Sequence, residues 1–167
     1  MRILLIVTCL ANIAFAFGSI PWMPERMAIR FAFDGTPSGF MSPVVSGVMM
    51  SVTVCFVAVI ILGVSFFASF VATHMPEFVN VPNRDYWMSE ENRQKTVRRI
   101  CSHAELIGVS TMLFILLVQW ELFNANQMVP PKLEGSNVHI AVGVLLAVIA
   151  IDTVRMLLSF RLPKEND

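Results

Sequence analysis

Val79 to Arg99, VNVPNRDYWMSEENRQKTVRR, is the longest polar run in the chain and stands between two strongly apolar halves. Five of the twelve Lys and Arg residues fall in it: Arg84, Arg93, Lys95, Arg98 and Arg99. Basic segments beside apolar spans resist translocation, so a stretch of this kind belongs on the cytoplasmic face of a membrane. The apolar run before it ends near Val71 and the one after it begins near Ala104, which makes it the connection between two spans.

The composition agrees. Of 167 residues, 56% are apolar and 14% charged, against about 25% charged in soluble domains, and the mean hydropathy is +0.68. Four apolar segments use nearly the whole chain, residues 1–167, as one transmembrane domain: about 3–20, 44–71, 104–123 and 138–160. The formal net charge is zero and no basic patch is interleaved with aromatics, so nothing points to nucleic acid. Cys9, Cys55 and Cys101 are scattered and without a C-x-x-C pair, which argues against a disulfide framework.

The first span, Ile3–Ile20, follows a lone Arg2 and would measure about 27 Å as a helix, just enough for a bilayer core. Ala14-Phe15-Ala16 offers a competing reading as a signal-peptidase site; retention is favoured because the apolar run continues to Phe17 and Ile20. Ile20-Pro21 ends the helix and opens a 23-residue connection, PWMPERMAIRFAFDGTPSGFMSP, long enough to be a functional loop. Within it Ile29, Phe31 and Phe33 alternate with Ala28, Arg30 and Ala32, which predicts an extended piece ending at Asp34-Gly35. A second turn at Thr36-Pro37-Ser38-Gly39 closes it, with Trp22 and Phe40 bracketing the loop as interfacial anchors.

Span two, Val44–Val71, would reach about 42 Å, so it must tilt, bend or project, and Ser65, Ala68, Ser69 and Ala72 give it a face for close packing. Beyond the Pro76 and Pro82-Asn83 breaks, Ser89 is an N-cap candidate followed by Glu90 and Glu91. Val97, Ile100, Cys101 and Ala104 then share one helical face. These features predict a short amphipathic helix lying on the membrane, with Arg93, Lys95, Arg98 and Arg99 towards anionic lipid phosphates. Spans three and four meet through a Pro130-Pro131 turn, and span four carries a Gly143/Ala147 small pair. With four spans kept, Arg2, the five central basic residues, Arg161 and Lys164 lie on one side. Arg26, Arg30 and Lys132 lie on the other, which puts both termini in the cytoplasm.

Two stretches carry a resemblance. Pro24-Glu25-Arg26-Met27-Ala28-Ile29-Arg30-Phe31-Ala32-Phe33-Asp34-Gly35-Thr36-Pro37-Ser38-Gly39-Phe40 resembles a P-x-x-[IVM]-P-[IM]-H-F-N-x-x-G-x-P-D-G-[WY] loop. Asn80-Val81-Pro82-Asn83-Arg84-Asp85-Tyr86-Trp87 is similar to N-[IV]-P-N-[KR]-D-Y-W. Both patterns resemble those of a bacterial multispan membrane family of uncharacterised role, whose domain also forms the N-terminal part of Sdp-type toxin-immunity proteins. Here Arg30, Ala32 and Ser38 stand where that family usually has His, Asn and Asp. The resemblance covers roughly residues 1–125, implies a multispan membrane protein of the bacterial inner membrane, and supplies no catalytic residue.

Candidate chemistry is sparse. Asp152 and Arg155 are ionisable residues inside span four and, with Glu105 of span three at similar depth, predict a neutralising intramembrane cluster. Glu121 and His139 form a second candidate pair at the outer end. His74, His103 and Cys101 match no metal or haem spacing, the eleven Met residues form no M-x-x-M array, and no nucleophile stands beside a base. No metal, cofactor or enzymatic activity is therefore expected. The leading expectation is an immunity-like protein that binds an extracytoplasmic ligand or partner through Arg30, Phe31, Phe33, Asp34, Gly35 and Pro37. The alternatives are a small transporter or channel subunit using Glu105, Asp152 and Arg155, an accessory subunit of a larger complex, or a homo-oligomer.

Overall fold

The fold expected is an all-α membrane bundle of four spans in two hairpins, with a short amphipathic helix and a structured outer loop. The computed structural model describes residues 1–133 and 135–162. It contains four helices long and apolar enough to cross a membrane: α1 (Arg2–Gly18), α2 (Pro43–His74), α4 (Arg93–Gln127) and α5 (Ser136–Ser159). A two-stranded hairpin, β1 (Met27–Phe31) and β2 (Pro37–Met41), joins α1 to α2, and a four-residue helix, α3 (Arg84–Trp87), lies between α2 and α4. Lys164, counted with the basic side above, lies outside the described residues.

α1, α2 and α4 pack on one another, whereas α5 packs on α4. The shared interior of the first three is Leu5, Val54, Val109 and Met112, bordered by Ile61. Gly108 permits this approach, since a Cβ there would lie 3.0 Å from Ile61 Cγ2 and 3.1 Å from Leu5 Cδ1. The small-residue face of α2 meets α4: Ser65 and Ala72 are buried, and the Cys101 thiol lies 3.4 Å from the Ser65 carbonyl and 3.5 Å from the Ser69 hydroxyl. Among the described residues a Cβ at Gly143 would meet no atom within 4 Å, and Ala147, its partner in the other small pair, is exposed.

Inside the apolar bundle α1 and α4 are tied by amides. Asn12 donates to the carbonyls of Thr8 (2.8 Å) and Met112 (3.0 Å), and Gln119 Nε2 donates to Asn12 Oδ1 at 2.7 Å. Asn12 and Gln119 are 0% and 6% exposed, so removing either strands the other's polar atoms. Asn12→Leu should therefore lower stability by about 1–3 kcal/mol, measured by detergent unfolding, while Asn12→Leu combined with Gln119→Leu recovers part of the loss. A single variant as stable as the parent would show that the amides do not hold the helices.

Several boundaries differ from expectation. No separate amphipathic helix exists: that segment is the first turns of α4, a helix of 35 residues that measures about 52 Å. Its N-cap is Asn92 rather than Ser89. The face expected to touch the membrane surface is used by the protein instead, since Val97 and Ile100 pack against a cluster of Ala72, Val81, Trp87, Met88 and Phe160. Thr36–Gly39 is not a closing turn either. Pro37 onwards is strand β2, paired antiparallel as Met27 to Met41, Ala28 to Phe40, Arg30 to Gly39 and Phe31 to Pro37, a two-stranded edge where proline is tolerated.

Candidate functional site

Two constellations at opposite ends of the bundle gather most of the residues singled out from the sequence. At the hairpin end, the turn closes by Ala32 N–H to Thr36 O (2.8 Å) and Gly35 N–H to Ala32 O (3.0 Å). Asn126, at the end of α4, clasps β1 reciprocally: its Oδ1 accepts from the Ala28 N–H at 2.6 Å and its Nδ2 donates to the Ala28 carbonyl at 2.9 Å. The Leu133 N–H donates to the Gly35 carbonyl at 3.0 Å, and Gln127 donates to the Trp22 carbonyl at 2.9 Å. The hairpin is thus fixed at its base and near its tip.

This docking divides the six candidate residues. Gly35 is buried and Phe31 and Pro37 are half-buried, whereas Arg30, Phe33 and Asp34 are exposed, Phe33 fully. Gly35 has φ +81°, a left-handed conformation that glycine adopts without steric cost. Asp34 organises the tip. Its carboxylate accepts from the Thr36 hydroxyl at 2.7 Å and the Thr36 N–H at 3.0 Å, bonds that hold its pKa below the ordinary carboxylate value. Trp22 and Phe40, the expected anchors, are both exposed.

At the basic end the Asn80–Trp87 stretch does something the sequence did not disclose: it caps α5. Asn83 Nδ2 and Trp87 Nε1 each donate to the Phe160 carbonyl at 2.8 Å, and Arg99 donates to the Ser159 carbonyl. Carbonyls at a helix C-terminus have no partner within the helix, and here the loop supplies them. Asn83 reaches its place through a left-handed backbone, φ 54°, which asparagine tolerates better than most residues. The Arg99 guanidinium lies 4.2 Å above the Trp87 ring, and Trp87 meets Phe160 edge-on at 5.8 Å and Tyr86 at 5.0 Å. Thr96 locks the turn by donating to the Trp87 carbonyl at 2.7 Å. Arg84 donates to the Pro76 carbonyl at 3.4 Å, while Asn80, Pro82 and Asp85 are exposed.

The intramembrane cluster is not assembled as expected. Glu105 is buried and pairs with Arg2 of α1 at 2.7 Å, and Asp152 pairs with His103 of α4. Arg155 is exposed and makes no ion pair among the described residues. The i, i+3 spacing placed Asp152 and Arg155 on one face, and both border a groove between α4 and α5, Asp152 against His103 and Arg155 exposed. Glu121 does not meet His139; it accepts from Asn137 Nδ2 at 3.2 Å. Nor do His74, His103 and Cys101 converge, since His74 stacks on Phe70 at 4.5 Å and the other two are engaged as described. Among the described residues no group of three His, Cys, Asp or Glu side chains could hold a metal.

Of the four residues assigned to lipid phosphates, Lys95 is bonded to Asn92 Oδ1 at 3.1 Å and Arg93 has a buried Nε without a partner among the described residues. Arg98 and Arg99 border a groove between α4 and α5. Asn12, Gln119, Asn126 and Phe160 were missed. The first two carried a readable signal, amides within apolar spans; the last two act across 98 and 77 residues of chain and carried none.

No family model, curated protein or solved structure matches this chain. The family reading therefore rests on the Pro24–Phe40 and Asn80–Trp87 motifs alone. The architecture is that of a helical, membrane-associated protein with four helices long enough for a multi-pass arrangement.

Proposed function

We propose that this chain is a non-catalytic protein of the bacterial inner membrane, with both termini in the cytoplasm. Its docked hairpin meets an extracytoplasmic protein partner in an immunity-like, protective role. The observation that carries the reading is the contrast within one loop. Asn126 and Leu133 tie the β-hairpin to the rest of the chain, yet Arg30 and Phe33 on it are exposed. Aromatic and arginine side chains on a preorganised surface are the usual anchors of a protein interface, because little ordering entropy is lost when they bind. The Glu105 carboxylate is bonded to Arg2 rather than to Arg155, so the charged trio of the small transporter or channel subunit is not assembled, which favours this reading.

The test places a photo-reactive residue at position 33 in intact membranes. A protein adduct is expected, and Arg30→Ala should reduce its yield. The double variant Arg30→Ala with Phe33→Ala should stay within about 0.5 kcal/mol of the parent in stability, as for other surface changes. Adducts with lipid alone would contradict the proposal and make Phe33 a membrane anchor.

A further inference from the structure

The seam between α4 and α5 is incompletely filled along much of its length. Towards the hairpin end it holds a groove of about 460 Å³ bordered by Leu113, Phe114 and Leu117 of α4 and Val144, Leu145 and Val148 of α5. Towards the basic end lies a second groove of about 450 Å³, bordered by Arg98, Arg99 and Arg155 together with Ser102, Ser159 and Asp152. The α4 residues of both grooves recur every three or four positions, Arg99, Ser102, Leu106, Ser110, Leu113 and Leu117, so one helix stripe runs from the charged groove to the apolar one.

The charge in the lower groove is unbalanced. That groove has three arginines and one carboxylate, Asp152, which lies against the His103 ring, and among the described residues neither Arg98 nor Arg155 has an acidic partner within ion-pair distance. Arg99 is held in place by the Trp87 ring and the Ser159 carbonyl. Three arginines bordering one groove with a single carboxylate leave an excess of positive charge that an anion entering the groove would offset. Guanidinium forks match phosphate oxygens in geometry and charge.

We propose that this seam binds an anionic phospholipid, its phosphate among Arg98, Arg99 and Arg155 and its acyl chains against the apolar groove above. A basic pocket between spans at the cytoplasmic side, continuous with an apolar groove, meets both halves of such a molecule; a soluble anion would use only the lower half. The site differs from a basic helix lying on the membrane surface, since Arg93 and Lys95 do not border it. Its phosphate end lies opposite the hairpin and is independent of the proposed partner.

The test adds phosphatidylglycerol or phosphatidylcholine to the full chain in detergent and reads retained lipid by native mass spectrometry and stability by thermal unfolding. Phosphatidylglycerol should be retained and raise the Tm, and phosphatidylcholine should do neither. Arg98→Gln with Arg155→Gln should weaken phosphatidylglycerol binding about twenty-fivefold, from about a fivefold loss for each surface arginine. Arg98→Lys with Arg155→Lys should keep part of it, and Arg26→Gln with Lys132→Gln at the far end should change nothing. Equal retention of the two lipids by the parent chain overturns the proposal without needing any variant to fold. Phosphatidylglycerol binding that survives the glutamine pair, or inorganic phosphate stabilising as well as the lipid, would overturn it too.

Discussion

Trp87→Ala is expected to release the C-terminal end of α5 and to lower the unfolding free energy by about 3–5 kcal/mol, the usual cost of truncating a buried aromatic. Three losses coincide at this residue. The indole fills the cluster with Phe160 and Ala72, its Nε1–H satisfies the Phe160 carbonyl, and its face carries the Arg99 guanidinium. α5 packs chiefly on α4, so its basic end depends heavily on this clasp. Trp87→Phe separates the contributions. It keeps a ring and most of the packing but loses the donor, and should cost only about 1 kcal/mol. Detergent unfolding followed by helicity, with limited proteolysis after Phe160, reads both variants. An alanine variant within about 1 kcal/mol of the parent would mean that the loop merely rests against α5.

The second large effect is expected at Gly35. A Cβ there would clash with the Leu133 carbonyl oxygen, a backbone atom that cannot rotate away, and φ is +81°. Gly35→Ala combines the left-handed penalty of about 1–2 kcal/mol with overpacking of about 1–3 kcal/mol. The chain avoids the clash by breaking the Leu133 N–H to Gly35 carbonyl bond and undocking the hairpin. Amide exchange at Gly35 and Leu133 should accelerate markedly, and capture of a partner through Phe33 should fall although Arg30 and Phe33 are untouched. Unchanged exchange would show that the hairpin is not held at its tip.

Where the physics is local, the sequence discloses it. The four long helices follow from uninterrupted apolar runs, and the extended Ala28–Phe31 segment from its period of two. The packing face of α2 follows from Ser65, Ser69 and Ala72. β2 was hidden because Pro37, Ser38 and Gly39 are turn formers taken singly; a two-stranded ribbon with one free edge accepts them. The separate amphipathic helix failed because its apolar stripe has a second use, packing Val97 and Ile100 on Trp87 and Phe160.

The candidate sites were legible only in part. Arg30, Phe33 and Asp34 do face outward, but Phe31, Gly35 and Pro37 serve the docking, a division decided by Asn126 far along the chain. The ion pairs were misassigned because depth and spacing matched Glu105 with Arg155, while helix rotation gives Glu105 to Arg2 and Asp152 to His103. Asn83 and Trp87 read as a loop signature and act as a helix cap, an action that exists only once Phe160 is brought to them.

Which end of the bundle faces which side decides whether the hairpin can meet an extracytoplasmic partner. In a chain with Cys9, Cys55 and Cys101 replaced, a membrane-impermeant maleimide applied to intact cells should label Phe33→Cys and leave Lys95→Cys untouched until the membrane is opened. Labelling of Lys95→Cys from outside, with Phe33→Cys protected, would contradict the proposed orientation.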